Sequence, residues 1–367
     1  MEPEAMAALP GVELVVGNEA KHQIVNWLPL LDEAQTSPQI VHNKIRRLPF
    51  SQPLPLAEEA KAEQLQGPTR GQLKVQDGCD FMCSFCIIPF ARGRSRHREF
   101  NNLCAEAEQQ VASGIQEIVL TGVNLGTYDL HGQNLVDIVD FLDSLKDLQR
   151  IRISSIEPTT VDPGLLERMG DQSHKLVPFL HLPVQSGSNR ILELMKRRYN
   201  ALDYAREVEE AILKIPDLCV GADVMVGFPG EGELEFTETL NLLANLPMSY
   251  LHVFPFSERA GTPATRLAAK VSPEDKRVRA ARLRELSKRL RHQFMQRFVG
   301  TSRSVLLEKT KPDGRQGGYT DNYLRVQLNS TKHEGLQSNR LIPVQLESIR
   351  GDVLLGTPLP SAETPAH

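Results

Sequence analysis

The 367-residue chain predicts an α/β fold, a partial (β/α)6 barrel followed by a small all-β barrel. Three observations carry that prediction. Short β-rich apolar runs alternate with amphipathic stretches six times from Leu73 onward. After Gly300 the helical period gives way to short strands. Just behind the first strand run, three of the five cysteines fall within eight residues, as Cys79, Cys83 and Cys86. Apolar content of 40% and charged content of 24% describe a globular chain with a sizeable core. The net charge of −4 does not by itself favour a polyanionic partner. No apolar run approaches the roughly 20 residues that cross a bilayer. The start, Met1-Glu2-Pro3-Glu4-Ala5, lacks the basic and apolar regions of a signal peptide. We therefore expect no membrane partner and a cytoplasmic location, where thiols stay reduced.

Taken in order, residues 1–34 offer one strand, Val12–Asn18, and one helix, Glu19–Leu31, which holds Trp27. One strand and one helix cannot bury a core alone, so this part reads as the end of another domain. Residues 35–71 are rich in Pro, Gln, Glu and Ala and read as a linker with a short helix at Leu56–Leu65. Strands are expected at Leu73–Val75, Glu117–Thr121, Ile151–Ile156, Phe179–Val184, Val220–Gly227 and Leu251–Phe256. Helices are expected at Ala105–Ser113, Leu135–Leu145, Pro163–Met169, Asn189–Met195, Leu202–Ile215 and Glu233–Leu246. Such alternation implies right-handed crossovers and a parallel sheet. Eight units need about 250 residues, so six in about 200 imply an open barrel with its ligands at the carboxyl ends of the strands.

Those ends carry polar or glycine-rich sequence. Thr121, Gly122 and Asn124 follow the second strand, and Ser154, Ser155 and Glu157 follow the third. Gln185 follows the fourth, while Asp223 and Gly227 lie at the end of the fifth. Each cluster alone is an ordinary turn. Four in succession on the rim that carries the cysteines read as a ligand pocket, with glycines for close approach and polar groups for a ribose or an amino acid.

Residues 273–298 form a basic helix begun by Ser272 and Pro273. Nine Lys or Arg between Lys276 and Arg297 face one acid, Glu285. A solvated face and a polyphosphate partner are both open, and the cation density favours the second. Arg92, Arg94, Arg96, His97 and Arg98 form another basic cluster behind the cysteines. Residues 299–357 suit an oligonucleotide-binding type of barrel, with strands at Ser304–Glu308, Tyr323–Leu328, Ile342–Glu347 and Val353–Gly356 and a turn at Gly317–Thr320. Tyr319 and Tyr323 could stack on bases or be buried structural residues. Residues 358–367 read as a tail.

Three cysteines at C-x3-C-x2-C spacing cannot pair evenly, which argues against disulfides. Three thiolates suit a four-iron cluster with one iron left open to a chelating molecule. Zinc is the competitor, with His97 or Cys104 as fourth ligand, although its usual paired spacing is lacking. Cys104 and Cys219 read as structural.

The same residues resemble a known family. Cys79-x3-Cys83-x2-Cys86 is similar to the signature of radical S-adenosylmethionine enzymes. Gln76-Asp77-Gly78-Cys79 and Phe85-Cys86-Ile87-Ile88-Pro89-Phe90-Ala91-Arg92-Gly93-Arg94 resemble the methylthiotransferases. Glu117 to Gly126, Arg152 to Pro158 and Leu251 to Ser257 resemble the type that acts on tRNA threonylcarbamoyladenosine, over the isopentenyladenosine and ribosomal-protein types. The resemblance runs from about Pro10 to Gly356. It implies a radical-SAM barrel over 72–298, with Cys79, Cys83 and Cys86 holding a 4Fe-4S cluster that binds S-adenosyl-L-methionine. Reductive cleavage would give a 5′-deoxyadenosyl radical that abstracts hydrogen from C2 of the adenine. Ser154, Ser155 and Glu157 would contact the ribose or amino acid, and the strand of Asp223 and Gly227 the adenine. Residues 299–357 would be a TRAM-like RNA-binding barrel. The implied partners are a tRNA anticodon stem-loop and a reductant protein such as flavodoxin or ferredoxin. Family members also carry an N-terminal domain with three further cysteines for a second cluster, and none precedes Cys79 here. Residues 1–34 would thus be a remnant of that domain, which puts sulfur insertion by this chain in question. Another substrate, or an RNA-binding protein with a structural metal, is the alternative.

Overall fold

A computed structural model describes residues 3–28, 37–54, 69–329 and 336–360. Six parallel strands form the core: β1 (Gly71–Lys74), β2 (Glu117–Thr121), β3 (Arg150–Ile153), β4 (Phe179–His181), β5 (Cys219–Val226) and β6 (Tyr250–Pro255). They fall into two three-stranded sheets, β1-β2-β3 and β4-β5-β6. A bridge between Ile151 and Leu176, and a hydrogen bond from Ile156 N to His181 O, stitch the sheets together. Helices α1 (Phe100–Ala112), α2 (Leu135–Ser144) and α3 (Pro163–Gly170) follow β1, β2 and β3, α4 (Asn189–Leu194) and α5 (Ala201–Lys214) both follow β4, and α6 (Glu233–Asn245) follows β5. Asn134 and Asn200 close capping boxes with Asp137 and Asp203, which is why α2 and α5 start where they do.

Strand alternation sorts the side chains. Val220, Ala222, Val224 and Val226 of β5 join the helix-facing core, while Cys219, Gly221, Asp223 and Met225 face inward. The long helix α7 (Pro273–Gln296) buries Ala280, Leu283, Leu286 and Leu290 in that same core. Its Ser287 hydroxyl accepts from Leu251 N at 2.9 Å and donates to Leu251 O at 3.0 Å. These two bonds satisfy Leu251 on the outer edge of β6, which has no further strand beside it.

Strands β7 (Ser302–Leu307), β8 (Gly317–Thr320), β9 (Arg325–Leu328), β10 (Leu341–Arg350) and β11 (Val353–Pro358) close a barrel in the order β7-β8-β9-β11-β10. The stretch Gly317–Thr320, expected as a turn, is thus a strand. A Cβ at Gly317 or Gly318 would collide with the carbonyl of Val326 or Leu306, so glycine permits the tight closure that its composition disguised.

This barrel plugs the amino end of the core strands. Tyr319 and Tyr323 stack at 4.7 Å, and Tyr323 meets Phe179 at 5.0 Å. The guanidinium of Arg152 lies 4.6 Å from the Tyr323 ring and that of Arg70 lies 4.9 Å from the Tyr319 ring. Of the two readings of these tyrosines the structural one holds. Phe294, Met295 and Phe298, at the end of α7 and just beyond it, pack with the small barrel, so that helix serves both cores.

The segment expected as a linker is partly structured. Gln39–Val41 pairs in parallel with Leu14–Val16, and Phe50 bridges to Arg98. Where a helix was expected from Glu19, the chain makes a 3-10 turn over Lys21–Asn26, interrupted at Gln23. The expected helix at Leu56–Leu65, the end of Glu19–Leu31 and the last seven tail residues lie outside the described residues.

Candidate active site at the carboxyl ends of the strands

The cysteine loop springs from β1 on a short antiparallel pair, Gln76–Asp77 with Arg96–His97. Gly78 adopts φ 73°, and a Cβ there would strike the Arg94 carbonyl, so the loop needs glycine. Gln76 is fully buried and ties two loops together. Its Oε1 accepts from Val123 N and Asn124 N, both at 2.9 Å. Its Nε2 donates to Gly78 O at 2.7 Å and Ser95 Oγ at 2.8 Å. Asp77, also buried, meets Lys74 at 2.6 Å, Arg92 at 3.4 Å and Arg96 at 3.7 Å. Burial pushes its carboxyl up, but the Lys74 hydrogen bond and charge outweigh this and hold it below the usual carboxylate range. Much of the second basic cluster is thereby spent on the loop's own scaffold, with Arg94 beside Asp80 and Arg98 beside Glu106.

Cys79, Cys83 and Cys86 are unpaired and half-buried. Phe81 N points at Cys79 Sγ at 3.4 Å, and Arg197 Nη1 at Cys83 Sγ at 3.4 Å. Burial first, then the neighbouring thiols, pushes the Cys79 and Cys86 thiols up. A multinuclear cation relieves both effects, since it stabilises thiolates directly. Zinc would need its sulfurs about 3.8 Å apart, given Zn–S bonds of about 2.3 Å. Among the described residues, the three thiols do not form a set whose ligand atoms all lie within 4.8 Å, with or without His97 or Cys104. The donor set therefore fits a cluster better than a single ion.

Beside the loop runs a buried network in which Glu157, expected from the sequence, is joined by Arg197 and Tyr199, which the sequence reading missed. Arg197 Nη2 reaches Glu157 Oε1 and Oε2, both at 2.7 Å. The Tyr199 hydroxyl lies 3.0 Å from the same nitrogen and donates to Pro183 O at 2.8 Å. Burial holds the Glu157 carboxyl above its usual value, although Arg197 pulls it down. The signal available in sequence was the cationic run Lys196-Arg197-Arg198 directly behind α4.

The other expected site residues divide into groups. Thr121, Gly122 and Asn124 serve the scaffold: a Cβ at Gly122 would press on Leu125 and Gln76, and Asn124 Oδ1 lies 3.3 Å from Thr160 Oγ1. Ser154 and Ser155 lie half-buried between β3 and Glu157. Gln185, at φ 63°, exchanges backbone hydrogen bonds with Asp223 and Met225 and so links the end of β4 to β5. Gly227, at φ 72°, donates its N–H to Glu231 Oε1 at 2.8 Å and lies under the Lys276 side chain, which leaves no room for a Cβ. Asp223 faces inward beneath the rim, bonded to His181 and His252. Those two histidines were legible only as parts of strands.

The basic helix α7 is less free than its composition suggests. Arg279 is buried against Glu231 at 2.8 Å, Arg282 meets Glu233 at 2.8 Å and Arg277 meets Glu274 at 2.7 Å. Lys276 donates to Phe256 O, and Arg297 to Pro216 O. Arg284 and Arg289 are exposed, with no acid within 4.0 Å among the described residues. Cys219 is buried, its thiol pushed up to about 12 by desolvation, in line with a structural role. Among the described residues no helix is long and apolar enough to cross a membrane.

Parallel strands, crossover helices and a three-thiol loop at their carboxyl ends define a radical S-adenosylmethionine protein, and the profile of the Radical SAM superfamily matches residues 73–243. The threonylcarbamoyladenosine tRNA methylthiotransferase MtaB of Bacillus subtilis is 36% identical over 337 residues, 90% of this chain and 73% of the relative. Its Thermotoga maritima counterpart is 32% identical over 96% of this chain and 81% of the relative. A tRNA-2-methylthio-N(6)-dimethylallyladenosine synthase of Zymomonas mobilis is 35% identical over 83% of this chain and 67% of the relative. A solved structure of the cobalamin-dependent S-adenosylmethionine radical enzyme OxsB covers 80% of this chain and 42% of its own at TM-score 0.52 and 13% identity, a likeness of fold alone. The chain belongs to the radical S-adenosylmethionine tRNA methylthiotransferases of the threonylcarbamoyladenosine type.

Proposed function

We infer that this chain methylthiolates C2 of N6-threonylcarbamoyladenosine beside the anticodon of tRNA. The single observation that carries the reading is the three-thiol loop on a buried scaffold, at the rim where the relatives' sequence matches run through. Cys79, Cys83 and Cys86 would hold a 4Fe-4S cluster. Ser154, Ser155, Glu157, Gln185 and Gly227 would line the S-adenosyl-L-methionine side of the rim, with Asp223 one layer deeper and Thr121, Gly122 and Asn124 behind. When bound, the cluster and S-adenosyl-L-methionine supply the radical that an inert aromatic C–H bond requires. The residues of the chain do the rest. Gln76 and Gly78 fix the loop, Arg197 sets charge beside Cys83, and Glu157 anchors Arg197.

The closed β7–β11 barrel would be the TRAM-like RNA-binding unit, and Arg284 and Arg289 of α7 would meet phosphates of the stem-loop. A flavodoxin- or ferredoxin-like reductant would supply the electron. The chain would divide into 1–34, 35–71, 72–298, 299–357 and a tail 358–367, with α7 packing in the cores of both barrels.

The test is anaerobic reconstitution with iron and sulfide, followed by reductant and S-adenosyl-L-methionine. Expected are a brown protein and release of 5′-deoxyadenosine, both lost in Cys83→Ala. In cells, deletion should remove 2-methylthio-threonylcarbamoyladenosine from tRNA nucleosides read by mass spectrometry. Unchanged nucleosides would reject the substrate, and a colourless protein would reject the cluster.

A further inference from the structure

Below the rim, inward-facing residues of three neighbouring strands meet in a group that neither the cysteine loop nor the interdomain plug uses. His181 ends β4, while Asp223 of β5 pairs in register with His252 of β6. Asp223 Oδ1 lies 3.0 Å from His181 Nε2 and 3.4 Å from His252 Nδ1. Among the described residues, these three are the set of His, Cys, Asp or Glu whose ligand atoms all lie within 4.8 Å of one another. The other ring nitrogen of His181 meets the Tyr250 hydroxyl at 3.0 Å.

We propose that His181, Asp223 and His252 form a divalent-cation site. Two imidazoles and one carboxylate are the donor set that takes Mn(II), Fe(II) or Zn(II), leaving further positions open. The spacing is right: ligand atoms bound at about 2.1 Å at right angles lie about 3 Å apart, close to the two short distances here. The surroundings agree. Tyr250 fixes the orientation of His181 from behind, as outer partners of metal-bound imidazoles do. With neutral imidazoles the group carries one negative charge, and among the described residues no Lys or Arg reaches Asp223 within 4.0 Å. That contrasts with Asp77, Glu117 and Glu157, each of which meets an arginine. With both rings neutral, the carboxylate between them has no cation beside it, and the 57% exposure of the His252 side chain gives one a route in.

Mn(II) is the probe, because a hard ion favours oxygen and imidazole over the cysteine thiolates. The cluster-loaded full chain is titrated anaerobically and free Mn(II) is read by electron paramagnetic resonance. Expected is one site per chain that is lost in Asp223→Asn and in His252→Ala and weakened roughly 10–100-fold in Tyr250→Phe. His252→Ala alters an exposed side chain, so retained cluster absorbance in that variant separates loss of the site from loss of fold. Binding that is the same in all variants, or no saturable binding to the parent chain up to roughly millimolar Mn(II), overturns the proposal. The readout does not depend on radical chemistry, so it stands or falls apart from the function proposed above.

Discussion

At the amino end of the core strands, Arg70, Arg150 and Arg152 converge on Glu117 at 3.1, 3.7 and 2.8 Å. At the carboxyl end, Arg197 alone converges on Glu157 at 2.7 Å. Both are buried arginine–carboxylate networks, and neither is a functional signature in itself. They differ in balance and in what closes them. Three arginines outweigh burial and hold Glu117 below the usual carboxylate range, whereas burial outweighs Arg197 and the more distant Arg198 and holds Glu157 above it. The lower network is sealed by the small barrel, with Arg150 donating to Ser304 O and Tyr319 O. The upper network ends on a cysteine sulfur. One network is a surplus of cation closed by protein; the other ends on a thiol of the cysteine loop.

Four predictions sharpen that contrast. The largest effect belongs to the Glu117 network. Glu117→Ala leaves three guanidinium groups without their carboxylate and should destabilise the chain by about 3–5 kcal/mol, read by denaturant unfolding. Arg197→Met should cost less, about 1–3 kcal/mol, because Glu157 can take up a proton. It should instead lower iron retention after reconstitution, and full iron content would leave Arg197 a structural role alone.

The third prediction concerns pH. The folded value of Glu117 is depressed, so its contribution is complete above its unfolded value of about 4.3 and is lost as pH falls through the folded value. Glu117→Gln should therefore flatten the acid limb of Tm against pH while lowering Tm at neutral pH. An unchanged acid limb would mean that other carboxylates govern acid unfolding. The smallest effect is on the outer face of α7. Arg284→Ala with Arg289→Ala should reduce the salt dependence of tRNA binding by roughly one unit of slope per lost phosphate contact, with Tm unmoved. An identical slope would return that face to a merely solvated one.

Much of this molecule was legible along the chain. The six strand–helix alternations fall within a few residues of their expected places, and Glu117–Thr121 falls on them. Apolar periodicity is a local property and survives without knowledge of neighbours. The cysteine spacing was equally legible, since three thiols on one loop are near in space because they are near in sequence. The N-terminal pairing of Leu14–Val16 with Gln39–Val41 was not, because a strand of three residues gains its identity from its partner.

What tertiary structure decided is which charges and rings are free. Tyr319 and Tyr323 looked fit to stack on bases and are spent on Arg70 and Arg152, some 170 residues or more away. Arg197 is buried beside Cys83, and His181, Asp223 and His252 meet only because β4, β5 and β6 lie side by side. Sequence determines the elements and the cysteine loop through short-range periodicity and spacing. The partners of a charge are settled by chain segments that packing alone brings together, and those partners separate the two networks.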